Sequence, residues 1–292
     1  MKTFAPLGFI DRLENAGGLD PLAGAVRDAV NKIVKPQWLR DVLHGVPLGH
    51  PLHPLMVQVP LGAWTSAAVL DALPGTGKAS TALVALGLVT AGPSALAGYV
   101  DFSELHEQQQ RVAVIHSSAN LVAVGLYTGS LLQRLTGSPG RGKALGLLGL
   151  TVVMAGGWLG GHLAFRQAVG ANHAEDVPHR IPAGWHSLAP FSELTTGKME
   201  RRLLGTVPLL VLRTQANEIL VLADTCSHLS GPLSEGKQQT ISGEQCVVCP
   251  WHESAFSLRS GEVVHGPATS PQPKFLTRVV DGQVEVCLPG AG

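Results

Sequence analysis

Two short stretches near the C-terminus carry the residue types best suited to chemistry. Cys226-Ser-His228 and Cys249-Pro-Trp-His252 each offer one thiolate and one imidazole, with 20 residues between His228 and Cys249. Such a set can hold a [2Fe–2S] centre unevenly, with sulfur ligands on one iron and nitrogen ligands on the other. The same four donors can close a structural zinc site, and Cys246-x-x-Cys249 is a bare pair that zinc also accepts. Zinc leaves the Gly231-Pro-Leu233 turn and Phe256 without a role. The remaining two cysteines, Cys246 and Cys287, read as small buried strand residues. No residue is nominated as catalytic.

A second constellation lies earlier in the chain. His50-Pro-Leu-His53-Pro54 is followed by Tyr99, Asp101 and His106, then by His116 with Asn120 one helical turn on, and finally by His162. Ionisable side chains inside apolar segments are costly and invite a functional reading. His53, His116 and His162 are therefore candidate ligands of a b-type haem, another metal or a quinone headgroup; the competing reading is interfacial histidines bonded to headgroups or backbone. His44, His173, His179, His186 and His265 read as solvated loop residues, with His173 and His179 near enough to the apolar segments to join a site.

The elements that must position these groups fall into two classes. Charged residues make up 14% of the 292 residues and hydrophobic ones 45%, a balance short of charge for a chain wholly in water. Four apolar segments, Leu55–Leu73, Ala79–Val100, Val112–Leu132 and Ala144–Phe165, approach the length that crosses about 30 Å of hydrocarbon. Short connections make neighbours antiparallel, which predicts a four-helix transmembrane bundle with the histidines gathered at the end where both termini emerge. Gly125/Gly129, Gly156/Gly160 and Gly157/Gly161 are small-xxx-small pairs suited to close helix contact. Ahead of the bundle, residues 1–50 predict one or two amphipathic helices, with helical periodicity over Leu22–Val34. Residues 167–190 read as a linker. Over 191–290, short runs such as Val207–Leu212, Ile219–Leu222, Cys246–Cys249, Phe275–Val280 and Val284–Leu288, bounded by glycines, predict a small antiparallel all-β domain. The fold class is thus an all-α membrane bundle over 51–166 followed by an all-β domain. A net charge of zero and no basic patch argue against nucleic acid. No secretion signal is evident at the N-terminus.

The stretch Cys226-Ser-His-Leu-Ser-Gly-Pro-Leu-Ser-Glu-Gly236, with Cys249-Pro-Trp-His-Glu-Ser-Ala-Phe256 and Ser260-Gly261-Glu262, resembles Rieske [2Fe–2S] domains. The resemblance implies Cys226 and Cys249 on an inner iron, and His228 and His252 on an outer iron at the surface. Rieske subunits of cytochrome bc complexes carry a further cysteine in each loop, joined as a disulfide, and a tyrosine bonded to a ligand sulfur. Here Gly231, Trp251 and Phe256 stand at those places, and Ser254 keeps a hydroxyl. Fewer donors to sulfur imply a potential low in the Rieske range of roughly −150 to +300 mV, so the domain is similar to the ferredoxin type. The preceding chain leaves no room for the mononuclear iron domain of Rieske oxygenases. Residues 40–165, with His-Pro-x-His-Pro, resemble an uncharacterised family of bacterial four-helix membrane proteins, which brings no established activity.

These readings lead to a membrane-anchored carrier of single electrons between a membrane redox partner, quinone or haem, and another carrier, acting as a component of an oxidoreductase system rather than as a stand-alone enzyme. A redox sensor, or an anchoring protein with a structural cluster, is the alternative. Lys78, Arg134, Arg141 and Lys143 on one side nearly balance Lys32, Lys35, Arg40, Arg111 and Arg166 on the other. Cytoplasmic termini on an inner membrane are expected because iron–sulfur clusters are assembled there.

Overall fold

The computed structural model describes residues 5–289; residues 1–4 and 290–292, the outer ends of the expected N-terminal segment and β domain, lie outside the described residues. The chain divides into two compact units: Met1–Leu39 with Pro51–Val169, and Arg40–His50 with Gly170–Gly292.

The first unit is helical. Its N-terminal helices are α1 (Ala5–Glu14) and α2 (Asp20–Ile33), and α3 (Gln37–His44) leads on into residues of the second unit. After Pro51 come α4 (Leu52–Met56), α5 (Gln58–Asp71), α6 (Gly77–Phe102), α7 (Glu107–Leu135) and α8 (Pro139–Phe165). Among the described residues three helices, α6, α7 and α8, are long and apolar enough to cross a membrane. The first of the four expected spans differs: it is divided at Val57, and the 14 residues of α5 cover only about 21 Å at 1.5 Å per residue. Pro60 explains the division. It has no N–H for the Met56 carbonyl, and its ring crowds that carbonyl.

Inside this unit Trp64 and Tyr127 stack with ring centres 4.1 Å apart, in a core with Val84, Ala123 and Val153. A second core joins Ile10 and Ala23 to Phe102, Val112 and Leu159, so α1 and α2 pack onto the longer helices. Arg111 ties them down, bonding Asp20 at 2.6 Å and the Glu14 carbonyl at 2.9 Å. The small-residue pairs act selectively. A Cβ on Gly156 would lie 2.7 Å from Asn120 Oδ1 and one on Gly160 3.1 Å from His116, whereas Gly125 and Gly157 face open space.

The second unit is built on two antiparallel sheets. Its strands are β1 (His186–Pro190), β2 (Met199–Leu204), β3 (Val207–Arg213), β4 (Ile219–Ala223), β5 (Lys237–Ile241), β6 (Glu244–Val248), β7 (Ala255–Ser257), β8 (Val263–His265), β9 (Lys274–Val280) and β10 (Gln283–Cys287). One sheet runs β1-β10-β9-β4-β3-β2 and the other β5-β6-β7-β8. The registers Leu210↔Leu222 and Leu212↔Leu220 put four leucines on one face of β3 and β4, where they pack with Cys226, Leu233, Val247, Cys249 and Phe256. The alternate residues Leu209, Val211, Ile219 and Val221 enter a second core. Both faces are thus covered, which is why β3 reads as a continuous apolar run instead of an alternating one.

The second core takes in residues from the stretch read as a linker. Ala174, Val177 and Ile181 are buried in it beside Ala189, with α9 (Val177–Arg180) between them. The chain from Gly170 onward therefore belongs to the β unit, and the apolar residues among its prolines are the reason. Residues 40–50, expected with the N-terminal helices, also belong here.

Candidate functional site

The loop after β4 carries Cys226 and His228, and the loop after β6 carries Cys249 and His252. The two loops are closed in the same way. Ser230 N–H donates to the Cys226 carbonyl at 3.0 Å and Cys226 N–H to the Gly231 carbonyl at 2.8 Å. In the other loop Glu253 N–H donates to the Cys249 carbonyl at 3.2 Å and Cys249 N–H to the Ser254 carbonyl at 2.9 Å. Ser230 and Glu253, four residues beyond their cysteines, both adopt positive φ, 66° and 61°. That is left-handed backbone in a non-glycine residue, an arrangement kept at sites that over-determine it.

Matched loops give matched donor pairs. Cys226 is 1% and Cys249 3% exposed, while His228 and His252 are half-buried. The two thiols share a hydrogen bond. That bond and burial push the Cys226 thiol up; the same bond, with the Trp251 and His252 amides, holds Cys249 down despite burial. The imidazoles of His228 and His252 stand edge to face with centres 5.1 Å apart, and His228 turns its Nδ1 into the protein, where it is buried. The four cysteines are free thiols. Among the described residues no three His, Cys, Asp or Glu side chains gather around a single ion; these donors fall into two pairs, sulfur inside and nitrogen outside.

Room for an inorganic core is kept by Gly231. A Cβ there would meet Cys249 Sγ at 2.7 Å and the Trp251 ring at 3.2 Å. The pair Gly231 and Trp251 therefore closes the tip by contact, with the half-exposed indole over the glycine. Phe256 is fully buried beneath the loops. Ser254 Oγ accepts from the Ala268 N–H at 2.9 Å, so this serine also holds a third loop against the second.

Several supports were not legible beforehand. Gln272, 2% exposed, accepts from Ser227 N–H at 3.0 Å and donates to the Ala223 and Thr225 carbonyls at 3.0 and 2.8 Å, bracing the first loop from both sides. Asp224 accepts from Ser234 N–H at 2.6 Å. His173, expected as solvated, bonds Ser230 Oγ through Nδ1 at 3.1 Å, and its N–H donates to the Ser227 carbonyl at 2.9 Å. Asp41 accepts from His265 Nδ1 and from Gly266 N–H, both at 2.9 Å. His44 is buried, not solvated, and packs at Gly266. The only advance signal for Gln272 was its seat in Pro271-Gln-Pro273; His173 showed only as a loop histidine within reach of the bundle end, and Asp41 gave no signal.

Of the helical-unit histidines, the structure brings two together. His53 and His116 have ring centres 6.4 Å apart and perpendicular planes. His162 goes elsewhere, its Nε2 bonding Glu14 Oε1 at 2.7 Å.

Comparison with known proteins decides the family. The Rieske [2Fe-2S] domain model matches residues 184–276. The anthranilate 1,2-dioxygenase ferredoxin subunit of Burkholderia cepacia is 36% identical over 104 residues, 92% of that protein and 36% of this chain. The chain belongs to the Rieske family. The 3-phenylpropionate/cinnamic acid dioxygenase ferredoxin subunit of Escherichia coli (strain K12) is 29% identical over 92% of its length and 35% of this chain. Among solved structures, the ferredoxin of carbazole 1,9a-dioxygenase from Nocardioides aromaticivorans IC177 is 21% identical, with 36% of this chain and 99% of that one covered and a TM-score of 0.33. Residues 49–173 match a second family, described as predicted membrane protein (DUF2231). The protein is therefore a ferredoxin-type Rieske electron carrier joined to a membrane domain, and its Rieske domain implies a [2Fe–2S] cluster. The residues present fit that group: paired buried thiols, paired outer imidazoles, and a glycine where a side chain would intrude. When bound, the cluster accepts and returns one electron.

Proposed function

We propose that Cys226 and Cys249 hold the inner iron and His228 and His252 the outer iron of the Rieske cluster, and that the protein carries single electrons between a redox partner in the membrane, quinone or haem, and a second carrier in water. The observation that carries this reading is the sorting of donors by depth: thiols 1% and 3% exposed, imidazoles half-buried. Electrons then pass through the exposed imidazole edges, while the buried sulfurs keep charge away from water. The apolar helices tether the domain to a bilayer, which raises its effective concentration at a membrane partner without any added contact. The chain spans the membrane more than once and keeps the Rieske domain in the cytoplasm. Phe256, which offers the sulfurs no hydroxyl, supports a low potential.

Purified full-length protein, reduced with dithionite, is expected to give a Rieske EPR signal with average g below 2 and two irons per chain. His228→Ala and Cys226→Ser are expected to abolish it. Retention of the signal in either variant, or zinc in place of iron, overturns the ligand assignment. Reduction of the cluster by a quinol in reconstituted vesicles tests the partner, and protease access in inverted vesicles tests the side.

A further inference from the structure

His53 on α4 and His116 on α7 are two histidines the fold brings together inside the helical unit, with ring centres 6.4 Å apart and planes at 90°. Two imidazoles on one metal ion, each with a metal–nitrogen bond of about 2.0 Å and about 1 Å more to the ring centre, stand about 6 Å apart. Each ring is also oriented as a ligand is. His53 Nδ1 lies 2.9 Å from the Ser94 carbonyl and His116 Nδ1 2.7 Å from the Gly156 carbonyl. A carbonyl only accepts, so Nδ1 donates in both rings and Nε2 is the nitrogen left to face a ligand. A backbone carbonyl on the far nitrogen is the usual second partner of a metal-bound imidazole. At His116 the lone pair accepts from Asn120 Nδ2 at 3.1 Å, the contact that an arriving metal displaces.

The backbone is shaped around these rings. A Cβ on Gly98 would lie 2.8 Å from His53 Nδ1, one on Gly160 3.1 Å from His116 Cε1, and one on Gly156 2.7 Å from Asn120 Oδ1. Three glycines on two helices thus make way for two imidazoles and the amide beside them. Both rings are half-buried, so neither is sealed in the core of the helical unit.

We propose that His53 and His116 are the axial ligands of one haem iron in the membrane domain. Two protein nitrogens leave a bare ion under-coordinated, since zinc takes four ligands, and among the described residues no third His, Cys, Asp or Glu joins them. Iron that brings four equatorial nitrogens of its own needs two. Such iron moves one electron between ferric and ferrous states, matching the one-electron cluster. His162 is excluded, because Glu14 holds its Nε2. The inference deepens the electron-carrier reading by naming the membrane-side group and rests on it only for purpose. Haem and cluster have separate spectra, so either can fail alone.

The test is an optical and EPR spectrum of the full chain in detergent, prepared from cells supplied with haem. One low-spin, six-coordinate haem per chain is expected. His53→Ala and His116→Ala are each expected to cut haem content at least tenfold while the Rieske signal persists, and His162→Gln and Asn120→Ala to retain it. His116→Met is expected to keep haem with an altered low-spin spectrum, which a folding defect cannot produce. A preparation with full Rieske signal and no Soret band overturns the proposal. So does copper or zinc bound without haem, or low-spin haem that survives in both alanine variants.

Discussion

At the scale of single residues, the cluster site is a problem of fitting an inorganic core between two backbone turns. The cysteines are the proposed inner ligands, and Gly231 keeps the approach to one of them clear, since a Cβ there would lie 2.7 Å from Cys249 Sγ. Gly231→Ala is expected to lower iron content several-fold with the secondary structure unchanged, measured as iron per chain against far-UV circular dichroism. Gln272 illustrates a different residue-scale effect. Its amide serves three backbone groups of the first loop at once, and truncating such a group leaves buried donors and acceptors unmatched at about 1–3 kcal/mol each. Gln272→Ala is expected to lower the thermal midpoint followed through the visible absorbance of the cluster.

At the scale of elements, the first expected span is divided at a proline, and a buried ion pair joins the ends of α5 and α7. Pro60 splits what the hydropathy pattern presents as a single segment. The charge that hydropathy would place outside the helices is instead used inside: Arg134, 3% exposed, pairs with Asp71 at the end of α5, assisted by Ser80 at 3.0 Å and by Lys143 on the Asp71 carbonyl at 2.6 Å. Removing one partner strands the other, so Arg134→Ala is expected to destabilise by about 3–5 kcal/mol. The double variant with Asp71→Ala is expected to cost less than the single one, checked by detergent unfolding in a double-mutant cycle. In the β unit, burial pushes the Glu200 carboxyl up, but the Thr195 hydrogen bonds and Arg202 outweigh it and hold the group below its ordinary 4.5. A depressed carboxylate stabilises the fold above its unfolded value and loses that contribution as pH falls through the native one. Glu200→Gln is therefore expected to be less stable than the parent at neutral pH and equal to it once pH drops below the native value, read from midpoints across an acid series.

At the scale of the whole molecule, the chain is two units of different solvent preference, and each contains pieces that sequence distance assigns elsewhere. The Rieske unit includes Gly170–Pro190 and Arg40–His50. Ala174, Val177 and Ile181 cover the second face of its larger sheet. A fragment beginning at residue 191 is expected to aggregate, whereas one beginning at residue 170 is expected to be soluble and to bind iron; the comparison needs only expression, sedimentation and metal analysis. His173 and Asp41 make the same point in polar terms. They anchor the first cluster loop and the loop at Gly266 with chain that lies outside the strands.

What the residues alone determined is the chemistry whose signal is local. The pairing of Cys226 with His228 and of Cys249 with His252, the proposed cluster ligands, was legible because each pair sits within one short turn, and α6, α7 and α8 were legible because length and apolarity suffice for them. Strands β3, β4, β6, β9 and β10 were legible as apolar runs between glycines, whereas β1, β2, β5, β7 and β8 were not. What only the tertiary structure decided is everything that depends on meeting a distant partner. Val57 breaks the first span because Pro60 withdraws a bond from Met56, residues 170–190 stop being a linker because a sheet face needs covering, and among three candidate histidines Glu14 takes His162 while Ser94 and Gly156 orient the other two. Burial and hydrogen-bond satisfaction are properties of neighbours in space, and periodicity along a chain does not encode which neighbours those are.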